Sequence, residues 1–150
     1  MADNHCLRVE CLTNPLAYAQ QIVSLFGNPV LDQLSEVQNT DMSPKPHILA
    51  AMNAESKPVA GAYFLINPQL CSLDINLLII PPELRGHRLA GRFLYALNDI
   101  AELHQLHLMR TTAGFGCTDH MRMYTKLGFQ PIPTALLPDA QPYIMQKKIN

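Results

Sequence analysis

Residues 74–94 read DINLLIIPPELRGHRLAGRFL. The run at 75–80 has the β-branched and apolar density of a buried strand, and Pro81 and Pro82, which donate no backbone hydrogen bond, end regular pairing there. Beyond a basic, glycine-containing turn, Leu89, Phe93, Leu97 and Ile100 recur at three- and four-residue steps, which predicts one face of a helix. The first turn of such a helix presents backbone N–H groups with no internal partner, and Gly86 and Gly91 let a ligand come close to the main chain. A phosphate or pyrophosphate is the natural occupant of a strand-loop-helix of this kind.

Working outward, 150 residues at 48% hydrophobic content suffice for one packed core and fall short of two ordinary domains, so residues 1–150 are expected to form a single domain. A net charge of −1 disfavours nucleic acid and anionic membrane as partners, while Arg85, His87, Arg88 and Arg92 form a local basic cluster suited to one small anion. Cysteines 6, 11, 71 and 117 contain no C-x-x-C pair, which argues against a structural zinc and disulfides, and no metal is expected. Without a secretory apolar region or a long apolar span, the chain reads as soluble and cytoplasmic.

Before the central stretch, residues 5–12 alternate as an opening strand, Asn14 is placed to cap a helix with Pro15 in its first turn, and Gly27 ends that helix. A shorter helix is expected over 30–37, then a loop at 38–46, strands at 47–52 and 59–66 joined by a hairpin turn, and a strand from Leu70 to the prolines. After the central helix a strand at 106–111 should run parallel to its predecessor, because a helix separates them. Residues 121–129, MRMYTKLGF, read as a short helix stopped by Gly128, with Phe129 opening the next strand. An edge or irregular segment at 131–139 precedes a strand at 143–149 that closes the sheet.

Two blocks in this order resemble the GNAT superfamily of N-acetyltransferases. The first places Asp74, Ile75, Leu78, Ile80, Pro82, Glu83, Arg85, Gly86 and Ala90 on the family's acidic residue, hydrophobic strand, proline-acidic pair and Arg/Gln-x-x-Gly-x-Gly/Ala loop. The second is the tyrosine, Tyr124, followed by hydrophobic-Gly-aromatic, Leu127-Gly128-Phe129. Together with flanking strand patterns the resemblance covers roughly residues 47–148. One position departs from it: Arg88 stands where the family usually has glycine, which either weakens the close backbone approach or supplies a guanidinium to a phosphate.

The resemblance implies an α/β GNAT-like acyl-CoA N-acyltransferase fold, a mixed, mostly antiparallel sheet flanked by helices, whose two parallel strands splay apart to admit the coenzyme's pantetheine arm. It implies acetyl-CoA as cosubstrate and direct attack by a primary amine, with Leu78, Ile79 and Ile80 aligning the thioester and Arg85, Gly86, His87, Arg88, Leu89, Ala90 and Gly91 holding the pyrophosphate. Tyr124 falls on the tyrosine that protonates the leaving thiolate, and a phenol with a reference pKa near 10 is protonated at neutral pH. Asp74 falls where the family often has a glutamate base; a structural strand carboxylate is the competing reading, as core packing is for Tyr124. Cys117 and His120 lack a third orienting group, so a covalent Cys-His site is set aside. Met121 and Met123 are candidates for the acceptor pocket wall. The acceptor amine belongs to a small molecule or a protein, and a homodimer is left open. A catalytically weak or inactive acyl-CoA-binding regulatory or interaction module of the same fold is the alternative function.

Overall fold

The computed structural model describes residues 7–37, 45–84, 88–112, 122, 124–132 and 143–149. Seven strands, β1 Arg8–Cys11, β2 Lys45–Met52, β3 Pro58–Asn67, β4 Ser72–Ile79, β5 Leu108–Thr112, β6 Gln130–Pro131 and β7 Tyr143–Lys148, form one sheet in the order β1-β2-β3-β4-β5-β7-β6. Helices α1 Ala19–Phe26 and α2 Asn28–Val37 precede β2, and α3 Leu89–Leu103 joins β4 to β5. That crossover makes β4 and β5 parallel, while every other neighbouring pair is antiparallel. The predicted α/β architecture, a mixed and mostly antiparallel sheet between helices, is the one observed.

Both faces of the sheet are apolar, and strand alternation sorts the side chains between them. In β2, Leu49 and Ala51 join the core under α3, with Phe93, Leu97 and Ala101 of that helix, whereas Ile48, Ala50 and Met52 join Ile22 and Leu34 under α1 and α2. The α3 stripe predicted from spacing is correct at Leu89, Phe93 and Leu97, all buried, and Ile100 packs at its margin. On the opposite face Tyr63 of β3 donates a hydrogen bond to Gln33 Oε1 of α2, so a phenol that would otherwise be buried unpaired locks the helix to the sheet.

β4 changes face part-way. Leu73, Ile75 and Leu78 all enter the core under α3, an impossible set for an uninterrupted strand of period two. The register explains it: Phe64 opposes Ile75 and Tyr63 opposes Leu77, leaving Asn76 as the extra residue of a β-bulge. Simple alternation does not reveal this, because 75–80 is almost uniformly apolar.

Several boundaries differ from the sequence reading. Asn14 occupies the expected cap position but makes no side-chain cap bond, and Pro15–Tyr18 is a 3₁₀ turn closed by Ala17 N–H donating to the Asn14 carbonyl at 3.1 Å. α2 starts at Asn28, two residues early, since Pro29 is compatible with a first helical turn. β4 starts at Ser72 rather than Leu70, because Asn67 Oδ1 accepts from Leu70 N–H and Cys71 takes a left-handed φ of 51°, holding 67–71 in a turn. β7 does not close the sheet: the two-residue β6 lies outside it, where Pro131 needs no ladder donor. Phe129 precedes β6 and is buried in the core.

Gly61 of β3 lies close under α1; a Cβ there would meet Phe26 Cζ at 2.9 Å and the Leu49 carbonyl oxygen at 3.0 Å. The ring could yield but the backbone oxygen could not, so Gly61→Ala should destabilise the protein by about 1–3 kcal/mol through overpacking. A lower urea midpoint with an unchanged slope checks this.

Candidate active site

The parallel ladder between β4 and β5 is short, running from Ser72↔Leu108 to Ile75↔Thr111. Past that rung each strand stays with its outer neighbour: Leu77, Leu78 and Ile79 pair with β3, and Thr112 pairs with Tyr143 of β7. Among the described residues no further rung joins the two strands, so a wedge between them begins at the Asn76 bulge of β4. Leu78 and Ile79 follow the bulge on β4, with Ile80 after them; the Leu78 side chain is buried beneath α3, and those of Ile79 and Ile80 are half-buried.

The start of α3 lies at the same end of the sheet, a few residues beyond β4. Its first turn closes with Arg92 N–H donating to the Arg88 carbonyl at 3.1 Å, so the amides of Leu89, Ala90 and Gly91 have no helical acceptor and are suited to an anion. A Cβ built on Gly91 meets nothing within 4 Å, so protein packing does not require glycine there and the space is open to a ligand. Arg88, the residue in the glycine position, adopts φ 59° and ψ 22°, the left-handed conformation that glycine takes at little cost. The backbone shape is kept and the arginine bears roughly 1–2 kcal/mol of strain for it. Arg92 turns elsewhere: its guanidinium donates to the Leu7 carbonyl at 2.9 Å and ties α3 to the chain before β1. Arg85, Gly86 and His87 lie outside the described residues, as do Cys117, His120, Met121, Met123 and most of the 38–46 loop.

Tyr124 is 2% exposed, in the short helical stretch 124–126. Its carbonyl accepts from Leu127 and Phe129 N–H, Gly128 turns the chain at φ 98°, and the Phe129 ring meets the tyrosine ring edge-on at 5.1 Å. Burial pushes the phenol pKa above its ordinary value, a hydrogen bond with the Thr111 side chain partly opposing it, so the group is protonated at neutral pH. Thr111 is the β5 residue on the last rung of the parallel ladder.

Asp74, one rung earlier, faces the other side of the sheet. Arg110, its register partner on β5, grips both carboxylate oxygens, with Nε to Oδ1 at 2.8 Å and Nη2 to Oδ2 at 2.7 Å. Both residues are buried, so a forked ion pair clasps the two parallel strands immediately before they part. Arg110 and Thr111 were not singled out from the sequence. The available signal was an arginine inside the apolar strand LHLMRTT, which demands a buried partner.

The parted parallel strands, the bulge in the first of them and an anion-ready helix start directly after it constitute a known arrangement. The fold is that of the GNAT acetyltransferases. A GNAT-family acetyltransferase from Staphylococcus aureus superposes with a TM-score of 0.75 at 9% identity, covering 95% of this chain and 100% of its own. An acetyltransferase from Streptococcus agalactiae gives 0.75 at 16% identity, covering 95% and 98%. PaiA N-acetyltransferase from Thermoplasma acidophilum, solved with coenzyme A, gives 0.69 at 15% identity, covering 94% and 99%. No family model matches the sequence, and no curated protein matches it. Among the described residues, no helix is long and apolar enough to cross a membrane, and no three metal-binding side chains cluster.

The clasp is testable by stability. Arg110→Met leaves Asp74 buried without its counter-ion and should lower unfolding free energy by about 3–5 kcal/mol, whereas the double variant Asp74→Leu/Arg110→Met should recover most of the loss. A double-mutant cycle by chemical denaturation measures both.

Proposed function

We propose that the protein is an N-acetyltransferase that moves an acetyl group from acetyl-CoA to a primary amine by direct attack in a ternary complex. The observation that carries this reading is the wedge between β4 and β5 with the open amides of Leu89, Ala90 and Gly91 at its end, a slot for a thioester arm beside a seat for its pyrophosphate. Acetyl-CoA supplies the activated acyl carbon and a thiolate leaving group. Main-chain groups of Leu78, Ile79 and Ile80 are assigned to alignment along the wedge, and the Arg88 guanidinium, on the exposed lip of α3, to a phosphate.

Tyr124 is assigned the acid role, since a buried phenol whose pKa is raised keeps its proton where the thiolate departs. Asp74 is assigned to the site as the partner of Arg110. For it to take a proton from the amine, directly or through water, the carboxylate would have to share an oxygen already engaged by the guanidinium. In this reading positioning dominates the rate enhancement and the amine reaches the site largely neutral. Cytoplasmic action fits an acetyl-CoA-dependent enzyme.

Calorimetric titration with acetyl-CoA, followed by a panel of small-molecule and peptide amines, tests the reading. Micromolar binding with turnover is expected, and Tyr124→Phe should reduce kcat by about 10²-fold while leaving acetyl-CoA affinity unchanged. Binding without turnover on any amine would favour an acyl-CoA-binding module, and no binding would remove the coenzyme assignment. Arg88→Gly separates the two roles of that residue: relief of left-handed strain should raise unfolding free energy by up to about 1 kcal/mol, and loss of the guanidinium should weaken acetyl-CoA binding most at low salt.

A further inference from the structure

α3 carries a second stripe beside the one it buries in the core. Gly91, Leu94, Asn98 and Glu102 recur at three- and four-residue steps and, with Tyr95, form one wall of a groove of about 450 Å³. The facing wall is Lys126, Leu127 and Gly128 after the short helical stretch, with Lys147 and Lys148 at the end of β7. Gly91, at one end, is the residue this groove shares with the helix start assigned to the pyrophosphate.

Three of the chain's five lysines thus meet at one groove, although the net charge of the chain is −1. None of the three has a carboxylate partner: among the described residues the pair of Asp74 and Arg110 is the only ion pair. Glu102, the carboxylate of the groove, accepts instead from Asn98 Nδ2 at 3.2 Å, one helical turn back. Lys147 lies across Gly128, where a Cβ would meet its Cε at 3.3 Å and its Nζ at 3.7 Å, so the glycine leaves room for the lysine. Ammonium groups gathered in this way repel one another, and a bound anion removes that cost. Leu94, Leu127 and Tyr95, the last 77% exposed, give the same groove an apolar side.

We propose that the groove is a docking site for an acidic, leucine-bearing peptide segment of a partner protein, its carboxylates on Lys126, Lys147 and Lys148 and its apolar side chain against Leu94, Leu127 and Tyr95. Charge complementarity selects this occupant. From Gly91 to Glu102 the helix runs about 16 Å, room for about five extended residues. Lysine presents a compact point charge on a flexible stem, which suits carboxylates spaced along a chain, whereas an arginine fork suits a single phosphate. Glu102 keeps lone pairs for a peptide N–H, a donor that a nucleic-acid backbone lacks. No step of acetyl transfer enters the argument, so the docking site stands independently of that activity.

Fluorescence anisotropy of fluorescein-labelled Glu-Glu-Leu-Glu-Glu-Leu with the whole chain tests this, with Gln-Gln-Leu-Gln-Gln-Leu as the uncharged control. The acidic peptide should bind at about 0.01 M salt and the control should not, and affinity should fall severalfold by about 0.15 M. Lys126→Glu/Lys148→Glu reverses two exposed charges and leaves the half-buried Lys147 in place over Gly128. It should weaken the acidic peptide by about tenfold, the sum of two lost attractions and two new repulsions, with acetyl-CoA affinity and the urea midpoint unchanged. Tyr95→Ala should weaken the acidic peptide at either salt concentration, since it removes apolar contact. Absence of binding at about 0.01 M salt overturns the proposal, as does equal binding of the control or binding that survives the charge reversal. If the charge reversal weakens acetyl-CoA as much as the peptide, and ADP displaces the peptide, the groove belongs to the coenzyme and the docking site falls. Self-association in sedimentation velocity that the same reversal abolishes would make a second copy the occupant and overturn it too.

Discussion

The forked ion pair between Asp74 and Arg110 is the constraint on which the rest of the site depends. Two neighbouring parallel strands would ordinarily continue their ladder, and here, among the described residues, it has four rungs. The pair holds β4 and β5 together at the third of those rungs, one residue before the last one. A buried guanidinium with both carboxylate oxygens in reach is geometrically demanding, and its value lies less in net stability than in permitting one register. Shifting β5 by a residue would leave two unpaired charges inside the protein.

From that joint the structure divides by face. On one side Asp74 and Arg110 occupy a polar strip of β4 and β5 that also includes Ser72, a buried hydroxyl without a hydrogen-bond partner among the described residues. On the other side Met109 of β5 joins Ile75, Tyr124 and the core beneath α3. Consecutive residues of β5 thus serve opposite faces, a consequence of strand alternation at the point where the wedge begins. The bulge at Asn76 makes the corresponding shift in β4, sending Leu78 into the core under α3. It also redirects the main chain of 77–79 toward β3.

Arg88 illustrates how a motif can change residue and keep shape. The turn into α3 requires a left-handed residue; the arginine accepts that conformation, so the helix begins where a glycine would have begun it. Selection among turn residues is therefore weaker evidence about backbone path than it looks from sequence, since roughly 1–2 kcal/mol is within what a packed helix can absorb. Leu89 and Phe93, buried directly after the turn, supply that packing.

Much of the architecture is legible in the chain itself because it rests on periodicity and punctuation. The α3 stripe, the hairpin between β2 and β3, the end of β4 before Pro81 and the turn at Gly128 each follow from local pattern, which acts before any distant contact forms. The parallel relation of β4 and β5 follows too, from the helix that separates them. Tyr124 and Asp74 were visible as members of ordered motifs, but their surroundings were not. Arg110 and Asp74 lie 36 positions apart in the chain, and nothing in either local segment specifies the register that joins them. The same holds for the Asn76 bulge, hidden in an almost uniformly apolar run, and for the burial of Tyr124. Sequence determined the elements and their order, since those depend on neighbours along the chain; only the tertiary structure decided which charge is paired, where the β4 register shifts and how deeply Tyr124 is buried, since those depend on contacts that packing alone creates.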